Sequence, residues 1–300
     1  MVLNISYPLL LDGGLSNQLE SQGCDLNNDL WTAIILLRSP HEIVKAHTAY
    51  LNAGSQCITT ASYQLTNEGL KNHGLDEKGA NALILKSVDL AKAAVDVFMS
   101  KNPNTSRPVI AASVGPYGAY LADGSEYHGD YNVSDEALHE FHFQKIKLLD
   151  SSPADLLACE TIPNLQEAKV LSKILKTCKK PAWMTFACKD ESHLNNGSSI
   201  NEAARLVHDN PQVFAIGVNC THPKHISGLI KNLKSSSTDK RIIVYPNHGE
   251  VYDAVTKTWS KPTGICFNAE AVNEWINEGA DIVGGCCRVG PEDIIEINLG

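Results

Sequence analysis

Short apolar segments rich in β-branched residues alternate along this chain with longer stretches in which apolar positions recur every three or four residues. The first such pair is Tyr7–Leu11, followed by a helical pattern from about His41 to Ala53. The order repeats from Gln56–Ala61, Pro108–Val114, Asp155–Cys159, Pro181–Cys188, Val213–Asn219, Arg241–Tyr245 and Asp281–Gly285. Near-continuous hydrophobic strands separated by helices predict a parallel sheet covered on both faces. Eight such units in a chain of 300 residues predict an α/β protein of the (β/α)8 TIM-barrel class. An open doubly wound sheet is the alternative. Against it, Asp12-Gly13-Gly14-Leu15-Ser16 after the first strand is not G-x-G-x-x-G, and no G-x-x-x-x-G-K-[ST] segment occurs.

The distribution of loop length supports a barrel independently. The long connections, Gly115–Asn132, Lys189–Ser199 and Pro246–Gly264, all follow strands and precede helices, whereas Asn277-Glu278-Gly279-Ala280 is a tight return from helix to strand. In a barrel every strand-to-helix loop opens on one face, so these loops mark the C-terminal end of the strands as the functional end. No composition break divides the chain, and residues 1–300 are expected to form one domain. Gly300 follows Pro291-Glu292-Asp293 closely enough that only a short eighth helix is expected.

Composition narrows the partners. With 25 Lys+Arg against 34 Asp+Glu, the formal charge of −9 argues against a phosphate-neutralising surface and hence against nucleic acid, and favours a cationic or zwitterionic small molecule. No apolar run approaches the ~20 residues of a membrane-spanning helix. The start, MVLNISYPLLLDGG, lacks the basic segment and cleavage site of a secretory signal, so a cytoplasmic protein is expected. In a reducing compartment the nine cysteines are core residues, metal ligands or reactive thiols rather than disulfides.

Residues at the strand ends point into the mouth of a barrel, and here they are Asp12, Ser62, Glu160, Asp190, Cys220, Asn247 and the pair Cys286-Cys287. Three thiols on two strands would converge there. Adjacent residues of a regular strand face opposite ways, so Cys286 and Cys287 share one ion only if the chain leaves strand geometry, which Gly284-Gly285 permits. Three thiolates with an open fourth position describe a catalytic zinc site. The competing reading is that the three are small buried hydrophobes, as free cysteine commonly is. That reading is adopted for Cys24, Cys57, Cys159, Cys178, Cys188 and Cys266.

His222 and His225 are close enough to Cys220 to complete a metal site, but are read as flanking the next helix. His139-Glu140-Phe141-His142 has i, i+3 spacing in place of the i, i+4 of zinc-binding H-E-x-x-H and is read as a solvated helix face. Asp12 and Glu160 have two readings: helix caps, or an anionic pair for a substrate ammonium group. Trp31, Tyr63, Tyr117, Tyr120, Tyr127, Tyr131, Tyr252 and Trp259 fall in or near mouth loops, where aromatic faces either plug the barrel or attract onium cations.

At these positions the sequence resembles the homocysteine S-methyltransferase family, and within it the S-methylmethionine-using branch. The matching stretches include Asp12-Gly13-Gly14, Leu30-Trp31-Thr32-Ala33, Thr60-Ala61-Ser62-Tyr63-Gln64, the segment from Ser113 to Tyr127, Ala158-Cys159-Glu160-Thr161-Ile162-Pro163-Asn164, Gly217–Cys220, Val244-Tyr245-Pro246-Asn247 and Gly284–Arg288. They run through essentially the whole chain. The resemblance implies a TIM barrel with catalytic zinc on Cys220, Cys286 and Cys287. It further implies homocysteine as acceptor, with Asp12 and Glu160 fixing its amino group and Asn219 and Ser62 in its pocket. The sulfonium donor, S-methylmethionine or S-adenosylmethionine, would sit beneath the loops carrying Trp31, Tyr63 and Tyr117. Betaine-dependent methylation of homocysteine is the nearest rival, and a non-catalytic zinc- or thiol-binding module is the rival from another class.

Overall fold

The computed structural model describes residues 5–26, 32–121, 124–125, 128–236, 239–250, 252–253, 258–259, 264–297 and 299. All eight expected strands are present: Leu9–Leu10, Cys57–Thr59, Val109–Val114, Leu156–Ile162, Ala182–Phe186, Val213–Asn219, Arg241–Tyr245 and Ile282–Val283. The second strand pairs with the third, and each next with its successor through the seventh, all in parallel; the eighth then lies between the seventh and the first. A single parallel bridge between Leu11 and Cys57 joins the first strand to the second and closes the (β/α)8 barrel.

That last seam is completed by side chains. Gln56 Oε1 accepts the Leu10 amide at 3.0 Å, Ser55 Oγ donates to the Leu11 carbonyl at 3.1 Å, and Asp12 Oδ2 accepts the Thr59 amide at 2.8 Å. The first and eighth strands are shorter than their apolar runs. In the eighth, the amide of Gly284 still bonds to the Val244 carbonyl on one side, but that of Gly285 turns to the Asp12 carbonyl on the other.

Strand alternation sorts the core into two layers. Leu9, Leu11, Cys57, Ala111, Leu156, Ala158, Trp183, Ala215, Ile243 and Ile282 point into the barrel, while Leu10, Ile58, Ala112, Leu157, Ile216 and Val283 point outward to the helices. Trp183 fills the barrel interior because its neighbours there are alanines on the third, fourth and sixth strands, so large and small residues interdigitate. This plug forms the floor on which the mouth is built. Helices ring the barrel, among them Pro40–Asn52, Glu77–Lys101, Asp135–Asp150, Leu165–Leu175, Ile200–His208, Ile226–Ser235 and Ala269–Glu278. The helix after the eighth strand is only Pro291–Ile294.

Most strand-to-helix loops end on a polar cap: the side chains of Ser134, Asn164, Ser199 and Asn268 each accept a backbone amide from the first turn that follows. The return at Gly279 is tight because glycine takes φ 115° there without penalty. Among the described residues no helix is long and apolar enough to cross a membrane.

Two expectations are corrected. His139 and Glu140 are solvated, but His142 is buried on the same face as Leu138 and Lys145, with Nε2 2.7 Å from Glu167 Oε1. His142 shares the apolar stripe with Leu138, four positions before it, and Lys145, three after it, whereas His139 lies beyond the edge of that stripe. Of the six cysteines read as core, Cys57, Cys159, Cys178 and Cys188 are buried, whereas Cys24 and Cys266 are half-buried on loops.

Candidate metal and substrate site

Cys220, Cys286 and Cys287 bring their sulfur atoms within 4.8 Å of one another at the barrel mouth. Local backbone accounts for the convergence. Cys220 follows the last residue of the sixth strand in the left-handed region, φ 46°, which removes its side chain from the strand alternation. The eighth strand ends at Val283, and Cys286-Cys287 lie on a turn in which the Val289 amide donates to the Cys286 carbonyl at 3.3 Å. Adjacent cysteines therefore reach one point. Glycine is required at 285, where a Cβ would lie 2.2 Å from Val289 Cγ1.

The turn is tied to the seventh-strand loop by Cys286 N to the Pro246 carbonyl, 2.7 Å, and His248 N to the Cys287 carbonyl, 3.0 Å. Hydrogen bonding among the three thiols, followed by burial, pushes the Cys220 thiol well above its ordinary value. Three soft sulfurs so placed repel once ionised, and a thiophilic divalent ion is the partner that relieves this; the set fits a metal held by three protein ligands. His222 is not part of it. Its Nδ1 accepts the Lys224 amide at 3.2 Å and caps the short 3-10 helix Pro223–His225 that leads into the next helix.

The cavity beside the thiols is lined by Asp12 and Glu160, and neither is a helix cap. Asp12 is 3% exposed, and Thr59 supplies it with both the backbone amide and the hydroxyl. Burial pushes its carboxyl up to about 8, against the lowering effect of those hydrogen bonds. Glu160 Oε1 accepts a hydrogen bond from the Ser113 hydroxyl, and Oε2 accepts the Tyr245 hydroxyl at 3.0 Å. Burial pushes Glu160 up to about 7, with Ser113 and Tyr245 opposing. Two buried acids near neutrality face one small cavity, and a cationic group placed beside them would favour their ionised forms.

Asn219 also lines the cavity, but its amide is engaged with protein. Oδ1 accepts Thr161 N at 2.7 Å and Thr185 Oγ1 at 2.8 Å, and Nδ2 donates to Thr161 Oγ1 at 2.8 Å. Ser62 is fully buried behind the wall. Its hydroxyl donates to the Ser113 carbonyl at 2.8 Å and lies 2.7 Å from Thr60 Oγ1.

Of the three aromatic residues expected over the donor, Tyr63 lines the cavity. Its turn is held from below by Lys145, whose Nζ donates to the carbonyls of Ser62 at 2.6 Å and Tyr63 at 3.1 Å, and burial brings this lysine down to about 7. Tyr117 stands further out, edge-on to Phe141 at 4.9 Å and beside Tyr131 at 5.6 Å. Glu167 anchors this cluster by accepting the Tyr117 amide, the Tyr131 hydroxyl and His142. Trp31 lies outside the described residues.

Thr59, Ser113, Thr161 and Tyr245 were not singled out from the sequence, although each sits at a strand end or within a matching stretch. The available signal was a polar residue at or near the end of an apolar run, as in Ile242-Ile243-Val244-Tyr245 and Ala111-Ala112-Ser113-Val114.

The homocysteine S-methyltransferase family model matches residues 9–299. Homocysteine S-methyltransferase YbgG of Bacillus subtilis (strain 168) is 46% identical over 297 residues, covering 97% of this chain and 94% of the relative. The selenocysteine methyltransferase of Astragalus bisulcatus is 40% identical over 304 residues, covering 95% and 91%. Among solved structures, the metallated form of the homocysteine methyltransferase MmuM from Escherichia coli superposes with a TM-score of 0.88 at 40% identity, covering 96% of this chain and 94% of that one. With its whole length so matched, the chain belongs to the homocysteine S-methyltransferase family, and it is a methyltransferase acting on small molecules.

Proposed function

We propose that the protein transfers a methyl group from a sulfonium donor, S-methylmethionine foremost, to the thiol of homocysteine, yielding methionine, with one zinc ion held by Cys220, Cys286 and Cys287. The observation that carries this reading is the opening of a three-thiol cluster, sulfurs within 4.8 Å, onto the cavity that also holds Asp12 and Glu160. When bound, zinc would supply deprotonation of the substrate thiol at neutral pH while leaving its sulfur nucleophilic.

The chain's own residues do the rest. Asp12 and Glu160 take the homocysteine ammonium, and their ionisation is driven by its arrival. Ser113, Tyr245 and Thr59 hold the two carboxylates in place so that the acceptor sulfur is directed toward the cysteines. The Tyr63 ring offers an aromatic wall to the donor cation. Two substrates held in line bring an orientation advantage of roughly 7–11 kcal/mol. As the new sulfur–carbon bond forms, the donor's sulfur–carbon bond breaks, its electron pair stays on the donor sulfur, and a neutral thioether leaves; the acceptor's thiol proton goes to solvent. Because positive charge is lost in this step, a tightly caging anionic donor site would retard it, and an aromatic wall suits the donor better than a carboxylate. We place the protein in the cytoplasm, where reducing conditions keep its nine cysteines as thiols.

Methionine formation by the reduced, zinc-loaded protein from homocysteine and S-methylmethionine tests this, with betaine and S-adenosylmethionine in parallel. Turnover with S-methylmethionine is expected. Turnover with betaine alone would overturn the donor, and none with any donor would favour a binding module.

A further inference from the structure

We propose that Asn219 is a positioning residue for Glu160: its carboxamide clamps the backbone of Thr161 in a left-handed conformation and thereby holds in place the adjacent Glu160, which strand alternation already points into the cavity. This rests on the reading of Glu160 as a homocysteine contact.

The fourth strand runs in register with the fifth as Leu157 to Ala182, Ala158 to Trp183 and Cys159 to Met184, and then resumes as Ile162 to Phe186. Three steps on the fourth strand thus match two on the fifth, so Glu160 and Thr161 together oppose Thr185, which is a β-bulge. Its effect on side-chain direction is visible on both sides. Leu156 and Ala158 point into the barrel and Leu157 and Cys159 outward. Strict alternation would then send Thr161 out and Ile162 in. Instead Glu160 and Thr161 both line the cavity, and Ile162 packs in the outer core. Two consecutive polar residues reach the mouth only because the strand carries this extra residue.

The arrangement is intrinsically unfavourable. Thr161 has φ 63°, a region that β-branched residues rarely occupy. A bulge also removes an amide from the ladder, and a buried amide needs another acceptor. Asn219, on the next strand but one, meets these needs with one group. Oδ1 takes the Thr161 amide at 2.7 Å, and Nδ2 donates to Thr161 Oγ1 at 2.8 Å. Thr185, the residue facing the bulge, donates to the same Oδ1 at 2.8 Å and fixes the carboxamide. Both lone pairs of Oδ1 and one amide proton are therefore committed to protein, and the remaining proton points toward Cys286 Sγ at 4.0 Å. A carboxamide used in this way is a piece of frame.

A double-mutant cycle with Asn219→Ala and Thr161→Gly tests the clamp, because glycine adopts positive φ without a side-chain clash. In the zinc-loaded enzyme, Asn219→Ala is expected to raise KM for homocysteine about tenfold, with donor KM and metal content held. The same step made in the Thr161→Gly background is expected to raise it less than threefold. An equal rise in both backgrounds would overturn the proposal and make Asn219 a direct substrate contact. The thermal midpoint supplies a readout independent of turnover: Asn219→Ala should lower it less in the Thr161→Gly background, and additivity there overturns the clamp even for a protein that never turns over homocysteine. If Asn219→Ala does not fold, Thr161→Val keeps the β-branch but deletes the Oγ1 partner. It should also raise KM for homocysteine, and an unchanged KM would count against the clamp.

Discussion

The Tyr245 hydroxyl donates to Glu160 Oε2 at 3.0 Å across 85 positions of sequence, from the end of the seventh strand to the end of the fourth. With Ser113 on the other oxygen, it fixes the plane of a carboxylate that has almost no access to water. Hydrogen bonds to ionised groups contribute on the order of 1.5–3 kcal/mol. Tyr245→Phe is therefore expected to raise KM for homocysteine by roughly tenfold to a hundredfold. Steady-state kinetics with the donor saturating check this, and an unchanged KM would detach Glu160 from substrate binding.

In the proposed metal site the three thiols are the whole protein ligand set, and removing one would leave two. Cys220→Ser, Cys286→Ser and Cys287→Ser are each expected to lose bound metal and to reduce methyl transfer to background. Elemental analysis of the purified variants alongside turnover assays checks both. A variant with full metal content and full activity removes that cysteine from the set, and wild-type activity that survives a strong chelator and returns no dependence on added zinc removes the metal from the reaction.

Glu167 is fully buried and accepts from Tyr117, Tyr131 and His142, so one carboxylate ties both ends of the aromatic cluster to the helix Leu165–Leu175. Glu167→Ala leaves a backbone amide, a hydroxyl and an imidazole without their acceptor, a cost of about 1–3 kcal/mol for each buried group that finds no water. Faster proteolytic cleavage between Tyr117 and Tyr131 is expected, together with a KM increase for the donor that exceeds any for homocysteine. Equal effects on both substrates would place the aromatic cluster outside donor recognition.

His47 lies in the helix Pro40–Asn52, fully buried, with no hydrogen-bond partner on either ring nitrogen among the described residues. Burial holds its pKa down at about 4, below the ordinary 6.5. Between those values the unfolded chain binds a proton that the folded chain refuses, so stability falls as pH drops from 6.5 toward 4, by on the order of 3 kcal/mol. His47→Leu removes that term. Urea unfolding at pH 7 and pH 5 is expected to show a smaller acid loss in the variant than in the wild type, and identical losses would show that His47 is protonated within the fold.

Much of the architecture was legible because its causes are local. The runs at Val109–Val114 and Val213–Asn219 are apolar on both faces, which only a strand buried between a barrel interior and a helix layer requires. The convergence of the three thiols was legible because Gly284-Gly285 announces that Cys286 and Cys287 leave the strand. What escaped was set by distant partners. Ser62 was expected in the mouth, but the turn after the second strand carries its hydroxyl back to the Ser113 carbonyl. The part played by Asn219 depends on a bulge 58 residues away, and nothing in Ala158-Cys159-Glu160-Thr161-Ile162 states that one residue is surplus. His142 found its carboxylate 25 positions along the chain, beyond the reach of helix periodicity.

The barrel wall is a bracelet with a clasp. Among the described residues one parallel bridge, with the Gln56 amide on the Leu10 carbonyl beside it, joins the first and second strands, and the Asp12 carboxylate supplies one of the links that backbone elsewhere provides. The group that faces the cavity from this side is thus also a fastener of the cylinder. A substitution at Asp12 therefore removes a fastener of the wall and a carboxylate of the cavity in one step. Activity lost on changing Asp12 would therefore report two events together, a weakened grip on the ligand and a loosened ring.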